Sequence, residues 1–106
     1  MVLEIAVLFV KPGEESAFEQ AFARFEHLIL NAAGYLSHEL HRSIERTHQY
    51  ALLIEWHRLE DHTIGFMRSH EFKLLRDQLQ GFFLSDPEIG HFDSVALNNA
   101  VKHLVD

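Results

Sequence analysis

The chain has 106 residues, no cysteine and a formal net charge of −7 at pH 7 with histidine neutral. The length predicts a single domain covering residues 1–106, and the absence of cysteine excludes disulfides, thiolate nucleophiles and cysteine-based zinc sites. The acidic balance argues against nucleic acid and against an anionic membrane surface as partners, because both need clustered lysine and arginine.

The N-terminal segment "MVLEIAVLFVKPG" is apolar, but it carries no signal for export. It lacks a basic start and a small-residue cleavage site, and no segment reaches the roughly 20 apolar residues that a membrane-spanning helix needs. We therefore expect a cytoplasmic protein. Residues 2–10 predict a strand covered on both faces, because they are apolar at both alternations apart from Glu4.

The next segments predict a helix and a hairpin. After a Pro-Gly turn, apolar residues recur at helical spacing over residues 15–30, which predicts an amphipathic helix ending near Gly34. "YLSHELHRSIE" alternates in polarity, and "QYALLIEWH" has high β propensity, so the two predict an antiparallel pair of strands.

The C-terminal half predicts two helices and a last strand. Residues 59–68 and 71–82 have helical patterns separated by a break near Ser69, and "IGHFDSVALN" has the pattern of a strand. Residues 99–106 have no clear pattern. The order β-α-β-β-α-β is that of an α+β, ferredoxin-like fold, with a four-stranded antiparallel sheet and helices on one face. Because the first strand is apolar on both faces, we expect a second copy to cover the free face in a homodimer.

The segments "GYLSHELHRSIE", "YALLIEW" and "LEDHTIGFMRSHEF", in this order and spacing, resemble the antibiotic biosynthesis monooxygenase family of dimeric α/β-barrel proteins. The resemblance extends over nearly the whole chain. It implies a homodimer with a pocket between sheet and helices in each subunit. Some members oxygenate polyketide-derived phenols to quinones without metal or prosthetic group, and others degrade haem or act on quinols.

The resemblance also implies site residues. Trp56 matches a pocket tryptophan late in the third strand and would stack on an aromatic substrate. His62 falls near a hydrogen-bonding aromatic position and would bind or deprotonate the substrate hydroxyl, while Arg76 would offset negative charge. The family's oxygenases carry an asparagine where this chain has Leu52, which is a departure from their pattern.

Four further residues are candidates for contacting a substrate: Phe66, Phe72, His41 and His91. Each has an ordinary alternative, which is core packing for the phenylalanines and a solvated or networked position for the histidines.

The sequence predicts no metal site and no cofactor. His38 and His41 are three apart in a strand and point to opposite faces, and no HExxH or facial-triad spacing exists. The haem-degrading relatives need an axial histidine where this chain has "FKLLRDQ", and an asparagine that its first strand lacks.

The leading hypothesis is therefore a small, cofactor-independent monooxygenase that acts on an aromatic or polycyclic phenol or quinol. The alternative is a non-catalytic small-molecule-binding or stress-related module of the same fold, which Leu52 favours.

Overall fold

A computed structural model describes residues 1–97 of the chain. Its strands are β1 (Val2–Phe9), β2 (Tyr35–Arg42), β3 (Gln49–Trp56) and β4 (Glu88–Phe92). Its helices are α1 (Glu15–Phe25), α2 (His27–Leu30) and α3 (His70–Leu79), with a π-helix over Asp61–Phe66 and a 3₁₀ turn over Gln80–Phe82. Residues 99–106, and the end of the predicted last strand at residue 98, lie outside the described residues.

The four strands form one antiparallel sheet in the order β2-β3-β1-β4. The two central strands are therefore β3 and β1, and the helical segments connect strands across one face. This arrangement confirms the predicted α+β, ferredoxin-like fold. Among the described residues, no helix has the length and apolar character needed to cross a membrane.

The core lies between the sheet and the helices because alternate residues of the central strands point toward the helices. On this inner face β3 contributes Tyr50, Leu52, Ile54 and Trp56, and β1 contributes Ala6 and Leu8. From α1, Phe18 packs edge-on against Tyr50, with ring centroids 4.9 Å apart. Burying each large apolar side chain contributes about 1.5–3 kcal/mol, so this layer is the main source of stability.

The outer face of the sheet is also apolar along its centre. On β1 the residues Leu3, Ile5, Val7 and Phe9 alternate with the buried ones and remain partly exposed in the single chain. Leu53 of β3 is the direct neighbour of Ile5 on this face. The predicted two-sided apolar character of the first strand is therefore present, although the chain itself covers only one side.

Two predicted helices differ in detail from the structure. The helix predicted over residues 15–30 divides at Glu26, whose carboxylate lies 2.8 Å from Nε2 of His38 on β2. The helix predicted over residues 59–68 contains a π-helix, in which the N–H of Met67 bonds to the carbonyl of His62. The predicted break near Ser69 is present, because its side chain accepts a hydrogen bond from the N–H of Phe72 and caps α3.

The turn before β2 packs closely against the first residue of the π-helix. Gly34 has a φ of 81°, a conformation that strongly favours glycine, and its carbonyl accepts a hydrogen bond from the N–H of His57. A β carbon added to Gly34 would overlap the carboxylate of Asp61, the first residue of the π-helix. Close packing at this point therefore requires glycine.

We predict that Gly34→Ala destabilises the protein more than Gly13→Ala. Both glycines have positive φ, but a β carbon at Gly13 meets no atom within 4 Å. The control, Gly13→Ala, introduces only conformational strain and should lower the free energy of unfolding by about 1 kcal/mol. Gly34→Ala adds the overlap with Asp61 and should lower it by roughly 3 kcal/mol. Urea denaturation measures both free energies of unfolding, and equal losses would contradict this account of the turn.

Candidate active site

A cavity of about 470 Å³ lies between the inner face of the sheet and the helices. This size falls in the range of pockets that bind small molecules. Most of its lining is apolar and comes from β1, β3, α3 and the segment before β4. Its polar lining residues are Glu4, His62, Arg76, Gln80, Ser85 and Asp86. The cavity therefore suits a largely apolar ligand that carries a few polar groups.

Glu4 is a carboxylic acid in the buried face of β1, and only 4% of the residue is exposed. The indole N–H of Trp56 donates a hydrogen bond to its Oε1 at 2.9 Å. Burial raises the pKa of Glu4 to about 7, and the hydrogen bond from Trp56 acts in the opposite direction. Near neutral pH, Glu4 is therefore present in both its protonated and its ionised form.

His62 is the second buried polar residue, with 2% exposure, and the π-helix holds it over Trp56. The two rings stack with centroids 5.4 Å apart and an interplanar angle of 21°. Burial lowers the pKa of His62 to about 4, with a further lowering contribution from the neighbouring His91. His62 is thus a neutral imidazole at pH 7, with one N–H and one acceptor nitrogen.

Glu4, His62 and His91 form a chain of polar contacts. Nε2 of His62 lies 3.3 Å from Oε1 of Glu4, and its Nδ1 lies 2.7 Å from Nε2 of His91. His91 is exposed on β4, and its Cα pairs directly with that of Glu4 across the β1–β4 ladder. Because directly opposite residues share a face, the ladder brings His91 beside Glu4, and His62 contacts both.

Trp56 is fully buried and is not among the residues that line the cavity. It packs between His62, Phe66 and the edge of Tyr35. We expected its indole to stack on a substrate, but Trp56 does not line the cavity, and the His62 ring stacks on the indole instead. Its observed contacts instead hold the Glu4 carboxyl and the His62 ring.

Arg76, Phe66 and Phe72 all line the cavity. Phe66 is buried in the π-helix and meets Phe72 edge-on, with centroids 5.4 Å apart. The guanidinium carbon of Arg76 lies 6.0 Å from the centroid of the Phe72 ring, and its side chain is half exposed. These three residues present an aromatic wall beside a positive charge.

His41 lies on the other face of the sheet, so its expected contact with a substrate in the cavity is wrong. It is exposed, its Cα pairs with that of Ala51, and its Nε2 lies 2.9 Å from Oε2 of Glu39. Strand alternation turns His41 away from Leu40, whose side chain packs against the core. Leu52, in contrast, lines the cavity as an apolar side chain.

Within residues 1–97, no group of three or more histidine, aspartate or glutamate side chains could hold a metal ion. The Glu4, His62 and His91 side chains do not converge on one point, because His62 contacts them through different ring nitrogens.

Glu4 is the site residue that the sequence patterns did not single out. It is the only charged residue in an otherwise apolar first strand, and a lone carboxylate in a buried strand needs a compensating partner. The sequence itself carries that signal, although it does not identify Trp56 and His62 as the partners.

We predict that Glu4→Gln stabilises the protein in a pH-dependent manner. The pKa of Glu4 rises from 4.5 to about 7 on folding, so its favourable contribution is complete below pH 4.5 and is lost as the pH rises to 7. Glutamine keeps an acceptor for Trp56 and has no charge to bury. The stability advantage of the variant should therefore grow between pH 4.5 and 7 and approach about 3 kcal/mol.

Urea denaturation at several pH values measures this difference in stability. His62 is present in both proteins, so its own pKa shift largely cancels from the comparison. Glu45→Gln, which changes an exposed glutamate in the turn between β2 and β3, serves as the control and should show no such trend. A difference between Glu4→Gln and wild type that is constant with pH would contradict a raised pKa for Glu4.

Comparison with known proteins connects this geometry to a family. The family model described as "Antibiotic biosynthesis monooxygenase" matches residues 1–78. The uncharacterized protein YczJ of Bacillus subtilis (strain 168) is 42% identical over 95 residues, which cover 90% of this chain and 100% of YczJ.

Solved structures show the same fold. A candidate antibiotic biosynthesis monooxygenase from Bordetella bronchiseptica is 33% identical with a TM-score of 0.86, covering 90% of this chain and 97% of that chain. SnoaB, a cofactor-independent oxygenase from Streptomyces nogalater, is 21% identical with a TM-score of 0.77. The match covers 91% of this chain and 94% of the SnoaB chain, and at this identity it shows a shared fold alone. On the family match and the Bordetella relative together, the chain belongs to the antibiotic biosynthesis monooxygenase family.

Proposed function

We propose that the protein is a cofactor-independent monooxygenase that converts an aromatic or polycyclic phenol or quinol to a quinone in the cavity between sheet and helices. The observation that carries the proposal is a mostly apolar cavity of about 470 Å³ containing a buried carboxyl and a neutral imidazole. Family membership and the likeness to SnoaB, described as a cofactor-independent oxygenase, support the reaction class.

The substrate class follows from the lining. Phe66 and Phe72 offer aromatic surface for a flat ring, and the remaining wall is largely aliphatic. The Glu4–His62 pair accepts the hydroxyl proton, and Arg76 offsets the negative charge of the resulting phenolate. A sugar or a phosphate ester would leave most of this apolar wall without complementary contacts.

The reaction needs only dioxygen as a second substrate. The phenolate donates one electron to dioxygen, and the superoxide and the phenoxyl radical join at the para carbon as a peroxide anion. The peroxide takes a proton. Loss of the para C–H proton with cleavage of the O–O bond then leaves a carbonyl. The departing hydroxide and that proton form water, so phenol and dioxygen give quinone and water.

The side chains of the cavity contribute proton transfer and charge stabilisation to this sequence. A buried base whose pKa lies near the working pH is suited to remove the hydroxyl proton, and Glu4 has this property. The apolar wall excludes water from the anion, which strengthens its attraction to Arg76.

We also propose that two copies pair through the outer faces of their sheets. The partly exposed stripe of Leu3, Ile5, Val7 and Phe9 on β1 continues into Leu53 on β3. An apolar stripe of this length along the two central strands is more typical of an interface than of a solvated surface.

A non-catalytic binding module is the second candidate. Leu52 favours it, because an apolar side chain lines the cavity where the family's oxygenases carry an asparagine. Such a module would bind the same aromatic ligands without consuming oxygen.

We predict oxygen uptake with an anthrone or 1-naphthol in air and in the presence of a metal chelator. Arg76→Gln should lower the rate about tenfold or more, because it removes the charge that stabilises the substrate anion. Lys73→Gln, which removes a positive charge from an exposed position on the same helix, is the matched control and should retain the wild-type rate. An oxygen electrode and quinone absorbance measure both. Tight ligand binding without oxygen uptake would favour the binding module instead.

We predict that light scattering gives the mass of two 12.3 kDa chains at micromolar concentration. Leu53→Glu should give the mass of one chain, because it places a charge in the centre of the outer face. Leu74→Glu changes an exposed leucine on α3 and should leave the dimer intact. A monomeric wild type would contradict the proposed pairing.

A further inference from the structure

The polar chain beside the cavity extends further than the proposed reaction needs. Glu4 and His62 alone would serve to accept a proton, yet the chain continues through a 2.7 Å contact to His91, which is exposed. His91 therefore connects a buried acid to bulk solvent through one intervening imidazole. This connection matters most when a ligand fills the cavity.

An apolar ligand in the cavity isolates Glu4 from water. The Glu4 residue is only 4% exposed, and the cavity that it lines is otherwise mostly apolar. A substrate that fills this space displaces the water that would otherwise exchange protons with Glu4. Any protein molecule that binds substrate while Glu4 is protonated must then lose that proton by a route outside the cavity.

We propose that Glu4, His62 and His91 form a proton-exchange path between the cavity and solvent, with Glu4 as its inner end and His91 as its outer end. The proposal rests on the proposed function, since it takes a phenol as the proton donor.

Protons move along this path between adjacent side chains. The proton of protonated Glu4 passes from Oε1 to Nε2 of His62, while the Nδ1 proton of His62 passes to Nε2 of His91. His91, now a cation, releases its Nδ1 proton to water. Oε1 and Nε2 lie 3.3 Å apart, and we expect the two groups to align as a hydrogen bond when a ligand is bound, as catalytic contacts often do.

Both ends of this process are hydrogen-bonded states. Before transfer, Glu4 donates to His62, which donates to His91. After transfer, His91 donates to Nδ1 of His62, whose Nε2–H donates to ionised Glu4. No ring has to turn over when each outward transfer is followed by an inward one after product release, because the inward transfer returns both imidazoles to their first tautomers. A purely structural network would not need an exposed imidazole at its end.

The charges around the path favour its working near neutral pH. The N–H of Trp56 stabilises the ionised form of Glu4, whereas burial raises its pKa to about 7. Arg76 on α3 and Asp86 before β4 also line the cavity and carry opposite charges. Glu4 therefore gains and loses a proton near neutral pH.

The first experiment measures oxygen uptake with an anthrone as a function of buffer. In His91→Ala the rate should fall about tenfold in a large, weakly penetrating buffer, and added imidazole should restore it by carrying the proton in place of the lost side chain. Imidazole should not change the rate of wild type or of Glu4→Gln. His70→Ala, another exposed histidine, is the control and should match wild type. Thermal denaturation checks that each variant is folded.

The second experiment needs no turnover. Binding of 4-nitrophenol produces a yellow phenolate, and a pH indicator in weakly buffered solution reports the proton that reaches solvent. In stopped flow, proton release should lag behind binding in His91→Ala and recover its wild-type rate when imidazole is added.

The two readouts separate failure of the path from failure of the proposed function. Oxygen uptake that is unaffected by His91→Ala in every buffer overturns the path and leaves the monooxygenase proposal intact. A slow, imidazole-rescued proton release without oxygen uptake supports the path and overturns the monooxygenase proposal. If neither the anthrone nor 4-nitrophenol binds, both the path and the monooxygenase proposal are overturned.

Discussion

The hydrogen bond from the indole of Trp56 to the buried carboxyl of Glu4 is the constraint on which the site depends. It joins β3 to β1 across the inner face, and it provides the partner without which a buried acid would be costly. The same indole supports the His62 ring by stacking. One side chain therefore positions the two buried polar residues of the cavity, even though it does not line the cavity itself.

The fold makes this arrangement through pairing as well as packing. Adjacent β1 and β4 strands place Glu4 directly opposite His91, and the π-helix holds His62 between them. Gly34 allows the carboxylate of Asp61 to approach closely at the start of that π-helix. Three separate segments thus converge on a cavity whose walls are otherwise apolar, which leaves Glu4 with a raised pKa and His62 with a lowered one.

Much of the fold is predictable because periodicity is local. Alternation identified the strands, helical spacing identified α1 and α3, and the order of elements implied the sheet. Phe66, Phe72 and Arg76, which the sequence offers as candidate site residues, lie at the cavity. Other features depend on tertiary information. That Trp56 faces inward follows from alternation, but that His62 covers it depends on a π-helix, which no residue pattern distinguishes from an α-helix. The pairing of Glu4 with His91 depends on strand register. The prediction that His41 contacts a substrate in the cavity was avoidable, since alternation along β2 already places His41 on the opposite side from Leu40.

The π-helix has an implication for how such a site arises and disappears. Its defining hydrogen bond, from Met67 to His62, spans one residue more than the bond of an α-helix. Loss of one codon within residues 61–66 would therefore restore regular helix and turn the imidazole by about a quarter of a rotation. Among homologous proteins, a gap of a single position here would mark lineages that keep the fold and have lost this placement of His62 beside Glu4.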